Sequence, residues 1–152
     1  MTTVLLADDQ LELRSIHSAY LQSHGFRVLT ADDGQSALDI ARAHHPDIIV
    51  LDHTMPRRNG VDVARELQQR KDTACIPIIL LTAHTYGAVG RKAREAGCVS
   101  VLTKPCPPSR VLFEIAAHIK AAAEPDRTVP DRTHAERTAR AESVFRSPRY
   151  RR

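Results

Sequence analysis

Short apolar runs alternate with amphipathic segments along most of the chain. The runs are Val4–Ala7, Val28–Leu29, Ile48–Leu51, Ile76–Leu81 and Val99–Leu102. Several are rich in Ile, Val and Leu without polar alternation, the mark of strands covered on both faces. Between the runs, apolar residues recur at helical spacing. Leu13, Ile16, His17 and Tyr20 predict one helix face, Ala37, Leu38 and Ala41 a second, and Val61, Ala64 and Leu67 a third; Val111, Leu112, Ile115 and Ile119 mark the last helix. Gly25 and Gly97 stand where helices should end, each just before a strand, while Asp32-Asp33-Gly34 and Pro107-Pro108-Ser109 stand where helices should begin. Strand–helix units of about 22 to 28 residues predict an α/β fold, a five-stranded doubly wound parallel sheet with flanking helices.

After Ala123 the pattern stops. The segment EPDRTVPDRTHAERTARAESVFRSPRYRR has three prolines and no continuous apolar stripe. Thr133 and Glu136 have capping-box spacing, which predicts a nascent helix over Thr133–Arg146, marginal on its own in water. Residues 1–123 therefore read as the folded domain and 124–152 as a basic, mostly disordered tail.

Charge follows the same division. The chain carries +4 overall. Up to Ala123 there are 14 Lys+Arg against 13 Asp+Glu, whereas the last 29 residues hold 8 arginines against 5 acids, a net of +3. The basic character thus belongs mostly to the tail. A DNA-binding regulator using that tail is the competing class of function. However, the tail holds neither a helix-turn-helix nor a zinc site, so salt-dependent, sequence-independent contact with nucleic-acid phosphates is all it could supply.

Cys75, Cys98 and Cys106 are odd in number without CxxC spacing, and read as reduced, packed thiols of a cytoplasmic protein. No run has the length of a signal peptide or a membrane span, so a soluble protein without membrane contact is expected. GxGxxG and the P-loop are both missing, and ADDQL lacks the Asp-x-Asp that aspartyl phosphatases of the haloacid-dehalogenase type need.

The four longer, more apolar runs all finish in polar residues with chemical reach. The first leads into Asp8-Asp9, the third into Asp52, the fourth into Thr82 and the fifth into Lys104. In IIVLDHTMPRRNG a buried strand drives straight into a carboxylate, and Met-Pro and Asn-Gly turns follow. Ligands of open α/β sheets bind beyond the carboxyl ends of the strands, where the strand order reverses. If strands one and three are neighbours, three carboxylates meet there. Their mutual repulsion calls for a cation, and all-oxygen ligation suits a hard one, Mg²⁺ above all. Three carboxylates carry −3, which Mg²⁺ and Lys104 together balance. The set suits phosphoryl transfer to a carboxylate nucleophile. Arg57 and Arg58 read as solvated loop charges, and His44, His45 and His84 as surface residues.

Taken in order, LLADD, VLDHTMPRRNG, ILLTA and AGCVSVLTKP closely resemble the receiver domain of bacterial two-component response regulators. The resemblance covers about Thr3 to Ile119, with 30 residues from Asp52 to Thr82 and 22 from Thr82 to Lys104. It implies a stand-alone, flavodoxin-like sheet of order 2-1-3-4-5 with five helices. It also implies that Asp52 is the phosphoacceptor, taking a phosphoryl group from a sensor histidine kinase or a histidine phosphotransfer protein. Asp8 and Asp9 would hold Mg²⁺ with Asp52 and the backbone carbonyl of Thr54. Lys104 and Thr82 would contact the phosphoryl oxygens, and a cis peptide would precede Pro105. Such a domain signals by changing shape or by relaying its phosphoryl group, is not an enzyme in the ordinary sense, and slowly dephosphorylates itself. One position departs from the family pattern: Val101 stands where a Tyr or Phe is usual, which excludes an aromatic rotamer switch there.

Overall fold

The computed structural model describes residues 1–83 and 87–123. His84, Tyr86 and the tail, including Thr133–Arg146, lie outside the described residues.

Strands and helices alternate without interruption: β1 (Thr3–Ala7), α1 (Leu11–Ser23), β2 (Arg27–Ala31), α2 (Gly34–His44), β3 (Ile48–Asp52), α3 (Gly60–Gln69), β4 (Ile78–Thr82), α4 (Ala88–Glu95), β5 (Ser100–Thr103) and α5 (Pro108–Ala123). All pairings are parallel and the strand order is β2-β1-β3-β4-β5, the flavodoxin-like order expected. Leu5 pairs with Ile49, Ile49 with Ile78 and Ile79 with Ser100, so the strands end nearly level along one rim.

Every residue of β3 and β4 is buried, and their side chains alternate between two layers. Leu5, Ile49, Leu51, Ile78 and Leu80 point toward α2, α3 and α4, where they meet Leu38, Ala64, Leu67 and Ala93. Val4, Leu6, Ile48, Val50, Ile79 and Leu81 point the other way, onto Leu21 of α1 and Val111 and Ile115 of α5. The sheet therefore separates two hydrophobic layers. The peripheral β2 is only partly covered, which explains its short apolar run in the sequence.

The turns follow from local chemistry. Gly25 and Gly97 close α1 and α4 at φ +89° and +93°, a conformation that costs glycine nothing. The Asp33 side chain caps α2 by accepting from the Ser36 N–H at 2.7 Å. Asn59, expected as part of an Asn-Gly turn, instead caps α3, with its Oδ1 accepting from the Asp62 N–H at 2.8 Å. His45 ends α2 in the left-handed region at φ 46° without being glycine.

One helix face differs from expectation. On α1 the buried residues are His17 and Leu21, while Ile16 is 54% exposed. Ile16 lies one position round the helix from His17, and that rotation carries it off the sheet. Arg58 is a second correction. It is a half-buried ion-pair partner of Glu66, which also pairs with Arg42 at 2.5 Å, so one carboxylate ties α2, α3 and the loop after β3 together. Arg57 is solvated, as expected from the sequence. All three cysteines are free. Cys98 is buried and its thiol is pushed up to about 12, but Cys75 is exposed rather than packed.

Candidate functional site

The site stands at the rim where the strands end. Asp52 is the last residue of β3, and Asp8 follows β1 directly. Because β1 and β3 are neighbours, with Ala7 opposite Leu51, the two carboxylates face the same crevice. Asp9 stands next to Asp8. One ligand oxygen from each of Asp8, Asp9 and Asp52 lies within 4.8 Å of the others. Asp8 and Asp52 are buried, 2% and 4% exposed, while Asp9 is open to solvent.

Two like charges at that depth need compensation. Lys104, beyond the end of β5, supplies it: its Nζ lies 3.0 Å from Asp52 Oδ2 and 3.4 Å from Asp8 Oδ2. The lysine is placed by its own backbone, whose N–H donates to the Thr82 carbonyl at 2.8 Å; the Lys104–Pro105 peptide that follows is cis, as expected. Burial works against the ammonium, yet its bonds and attraction to Asp52 and Asp8 outweigh it and hold the Lys104 pKa above its ordinary value. For Asp52 the balance falls the other way. Burial raises its pKa, Lys104 only partly offsets this, and the charge of Asp8 adds to the rise.

The remaining expected residues take adjacent places. Thr82 is buried at the end of β4, one residue past Leu81, which pairs with Asp52. Thr54 lies on the loop after β3, and its N–H approaches Asp52 Oδ1 at 3.4 Å. Val101 is buried in the layer under α4. The set thus offers three convergent carboxylates. This all-oxygen donor set, with no sulfur or imidazole in the cluster, fits a hard divalent ion such as Mg²⁺.

The close packing around the loop after β3 was not legible from the sequence. A Cβ on Gly34 would meet the Arg58 backbone oxygen at 2.1 Å, and one on Gly60 would meet the Asp52 carbonyl oxygen at 2.7 Å. Two glycines thereby let α2 and α3 press against the segment that carries Asp52. Asp8 also has partners that spacing did not reveal: the Gln10 N–H donates to its Oδ1 at 2.9 Å, and Arg14 Nη1 donates to its backbone carbonyl at 2.7 Å. His17 is buried below, and its Nδ1 has no partner.

Among the described residues, no helix is long and apolar enough to cross a membrane. The family model for the response regulator receiver domain matches residues 4–116. The transcriptional regulatory protein PdtaR of Mycobacterium tuberculosis is 36% identical over 103 residues, 67% of this chain and 49% of that protein. The chain therefore spans about half the length of the curated relatives it matches first. Among solved structures, the chemotaxis protein CheY4 of Vibrio cholerae superimposes with a TM-score of 0.73 at 30% identity, over 77% of this chain and 98% of that one. The receiver domain of the sensor histidine kinase PA1611 of Pseudomonas aeruginosa, solved with a magnesium ion coordinated in its active-site cleft, also gives 0.73, at 27% identity over 78% and 98%.

Proposed function

Because this chain belongs to the response regulator receiver family, we propose that it accepts a phosphoryl group on Asp52 from the phosphohistidine of a sensor kinase or a histidine phosphotransfer protein. The observation that carries this reading is the convergence of Asp8, Asp9 and Asp52 on one rim, with Lys104 within 3.0 Å of Asp52. Asp52 is the nucleophile: its oxygen forms the new P–O bond as the P–N bond to the donor imidazole breaks in line. Lys104 follows the transferring oxygens and limits the negative charge that a second anion would otherwise meet. Asp8, Asp9, Asp52 and the Thr54 carbonyl hold Mg²⁺, which when bound neutralises charge on the phosphoryl oxygens. Thr82 donates its hydroxyl to one of those oxygens, and the shift of the loop after β4 favours a signalling conformation.

The donor approaches the rim where β1 and β3 end. Residues 1–123 form the receiver unit, and 124–152 a basic extension of it. The domain works in the cytoplasm and dephosphorylates itself slowly.

Intact-mass measurement after incubation with acetyl phosphate tests the reading. A single base-labile phosphoryl adduct is expected, dependent on Mg²⁺ and missing in Asp52→Asn. An adduct that persists in Asp52→Asn, or forms equally well in EDTA, overturns the assignment.

A further inference from the structure

Asp8 is unusual in having all four of its polar atoms engaged. Its N–H donates to the Ala31 carbonyl of β2 at 3.1 Å, and Oδ1 accepts from the Gln10 N–H at 2.9 Å. Oδ2 faces Lys104 at 3.4 Å, and the backbone carbonyl accepts from Arg14 Nη1 at 2.7 Å. Asp9, the other carboxylate of the pair, is exposed. Its direction is therefore set mainly through the backbone.

That backbone is rigid in one useful respect. The Asp8 carbonyl and the Asp9 N–H and Cα share a single planar peptide unit. A donor that holds the carbonyl restrains the plane, and with it the position of the Asp9 N–Cα bond, leaving only φ and χ1 of Asp9 to aim its carboxylate. Arg14 is well placed to be that donor. It lies on the first turns of α1, where its own N–H bonds to the Gln10 carbonyl at 3.0 Å, so the guanidinium folds back over the loop it closes. The planar fork can hold this orientation while other nitrogens remain free. It also forms a wall of an open cleft of about 270 Å³ with Thr30, Asp32, Ser36 and Ile40.

We infer that Arg14 is a positioning residue for the divalent-cation site. It touches neither the ion nor the phosphoryl group, and acts by holding the Asp8–Asp9 peptide plane so that both carboxylates converge with Asp52. Its charge works the other way, because a fixed cation beside three acids eases their repulsion in the empty site and repels an incoming divalent ion, so what Arg14 adds to affinity is geometric. The inference rests on the reading of Asp8, Asp9 and Asp52 as Mg²⁺ ligands.

Calorimetric Mg²⁺ titration of the full chain, together with its thermal midpoint in EDTA, tests it across wild type, Arg14→Lys, Arg14→Ala and Asp52→Asn. Arg14→Ala is expected to weaken Mg²⁺ binding about ten-fold, the scale on which outer partners of metal ligands act. Arg14→Lys, which keeps one charged donor, is expected to recover part of that loss, with the EDTA midpoint of both close to wild type. Should Arg14→Ala prove too unstable to titrate, the shortfall of Arg14→Lys against wild type decides. Wild-type affinity in Arg14→Ala, or an equal loss in both variants that tracks a fallen midpoint, overturns the inference while leaving the metal site standing. A wild type that binds no Mg²⁺, or binds it as well in Asp52→Asn, overturns the metal site and the inference with it.

Discussion

The Lys104 ammonium bridges Asp52 at 3.0 Å and Asp8 at 3.4 Å, although β5 neighbours neither β3 nor β1. A single long side chain crosses past the end of β4 to reach both. Replacing it with Lys104→Met keeps the stem and removes the charge. Phosphoryl uptake from acetyl phosphate is then expected to fall at least about a hundredfold, the range for losing one fixed electrostatic partner. The Asp52 carboxyl should also rise further, since burial and Asp8 then act on it with only the Thr54 N–H opposing them. Carboxyl carbon NMR of Asp52 across pH checks the second effect, and an unmoved titration contradicts the bridging role.

Asp52 itself should oppose stability at neutral pH. Its pKa in the fold is raised by burial, so the native state holds the proton more tightly than the unfolded chain does. The favourable contribution exists below the ordinary value of 3.8 and is lost as pH rises through the raised pKa. Asp52→Asn is therefore expected to stabilise the metal-free protein at pH 7, and to lose that advantage near pH 3.5. Urea unfolding at the two values checks it, and an unchanged difference between them rules the explanation out.

His17 gives a slope of the opposite kind. It is 4% exposed, its Nδ1 is unpartnered, and burial lowers its pKa; Asp8 pulls the value up and Lys104 pushes it down, both less than burial does. The unfolded chain takes up the proton first, so this residue's contribution is complete above about 6.5 and is lost as pH falls below it. His17→Leu should flatten the stability profile between pH 7 and 5 and stabilise the protein at pH 5 by about 1 to 2 kcal/mol. A residual slope from His53, whose pKa is also lowered by burial, should remain. Chemical unfolding across that range provides the comparison.

Arg57 adopts φ 67°, a region that disfavours any residue with a Cβ. What it gains there is slight: its ion pair with Asp33 is 3.8 Å long and the arginine side chain is 70% exposed. Arg57→Gly is expected to raise stability by about 1 kcal/mol by releasing that strain, without altering Mg²⁺-dependent phosphorylation. A lower unfolding midpoint would show that the pair with Asp33 matters more than the backbone.

The fold was largely legible in the order of the runs, because strands buried on both faces cannot hide their apolar character. The placement of Asp8, Asp52 and Thr82 was legible for a related reason: each ends such a run and is buried there, where a polar group needs a purpose, while Asp9 and Lys104 stand two residues past theirs. Local spacing was silent wherever a partner lies far along the chain. Nothing in the sequence around Arg58 announces Glu66 and Arg42, and nothing around Gly34 announces the Arg58 carbonyl that fills its missing side chain. Ile16 and His17 show the same limit in miniature. Hydrophobic spacing put both inside, but the helix could turn only one of them onto the sheet, and it buried the histidine.

Leu5 and Leu6 are adjacent in the chain yet belong to different hydrophobic layers, and so do Ile48 and Ile49, and Ile78 and Ile79. Volume changes on the two sides of the sheet are consequently separate packing problems, joined only through backbone that both share. Paired substitutions, one in each layer, should add in their effects, whereas two in the same layer should not. A lineage can thus remodel the helices on one side without repacking the other, while the rim that both layers support stays where it is.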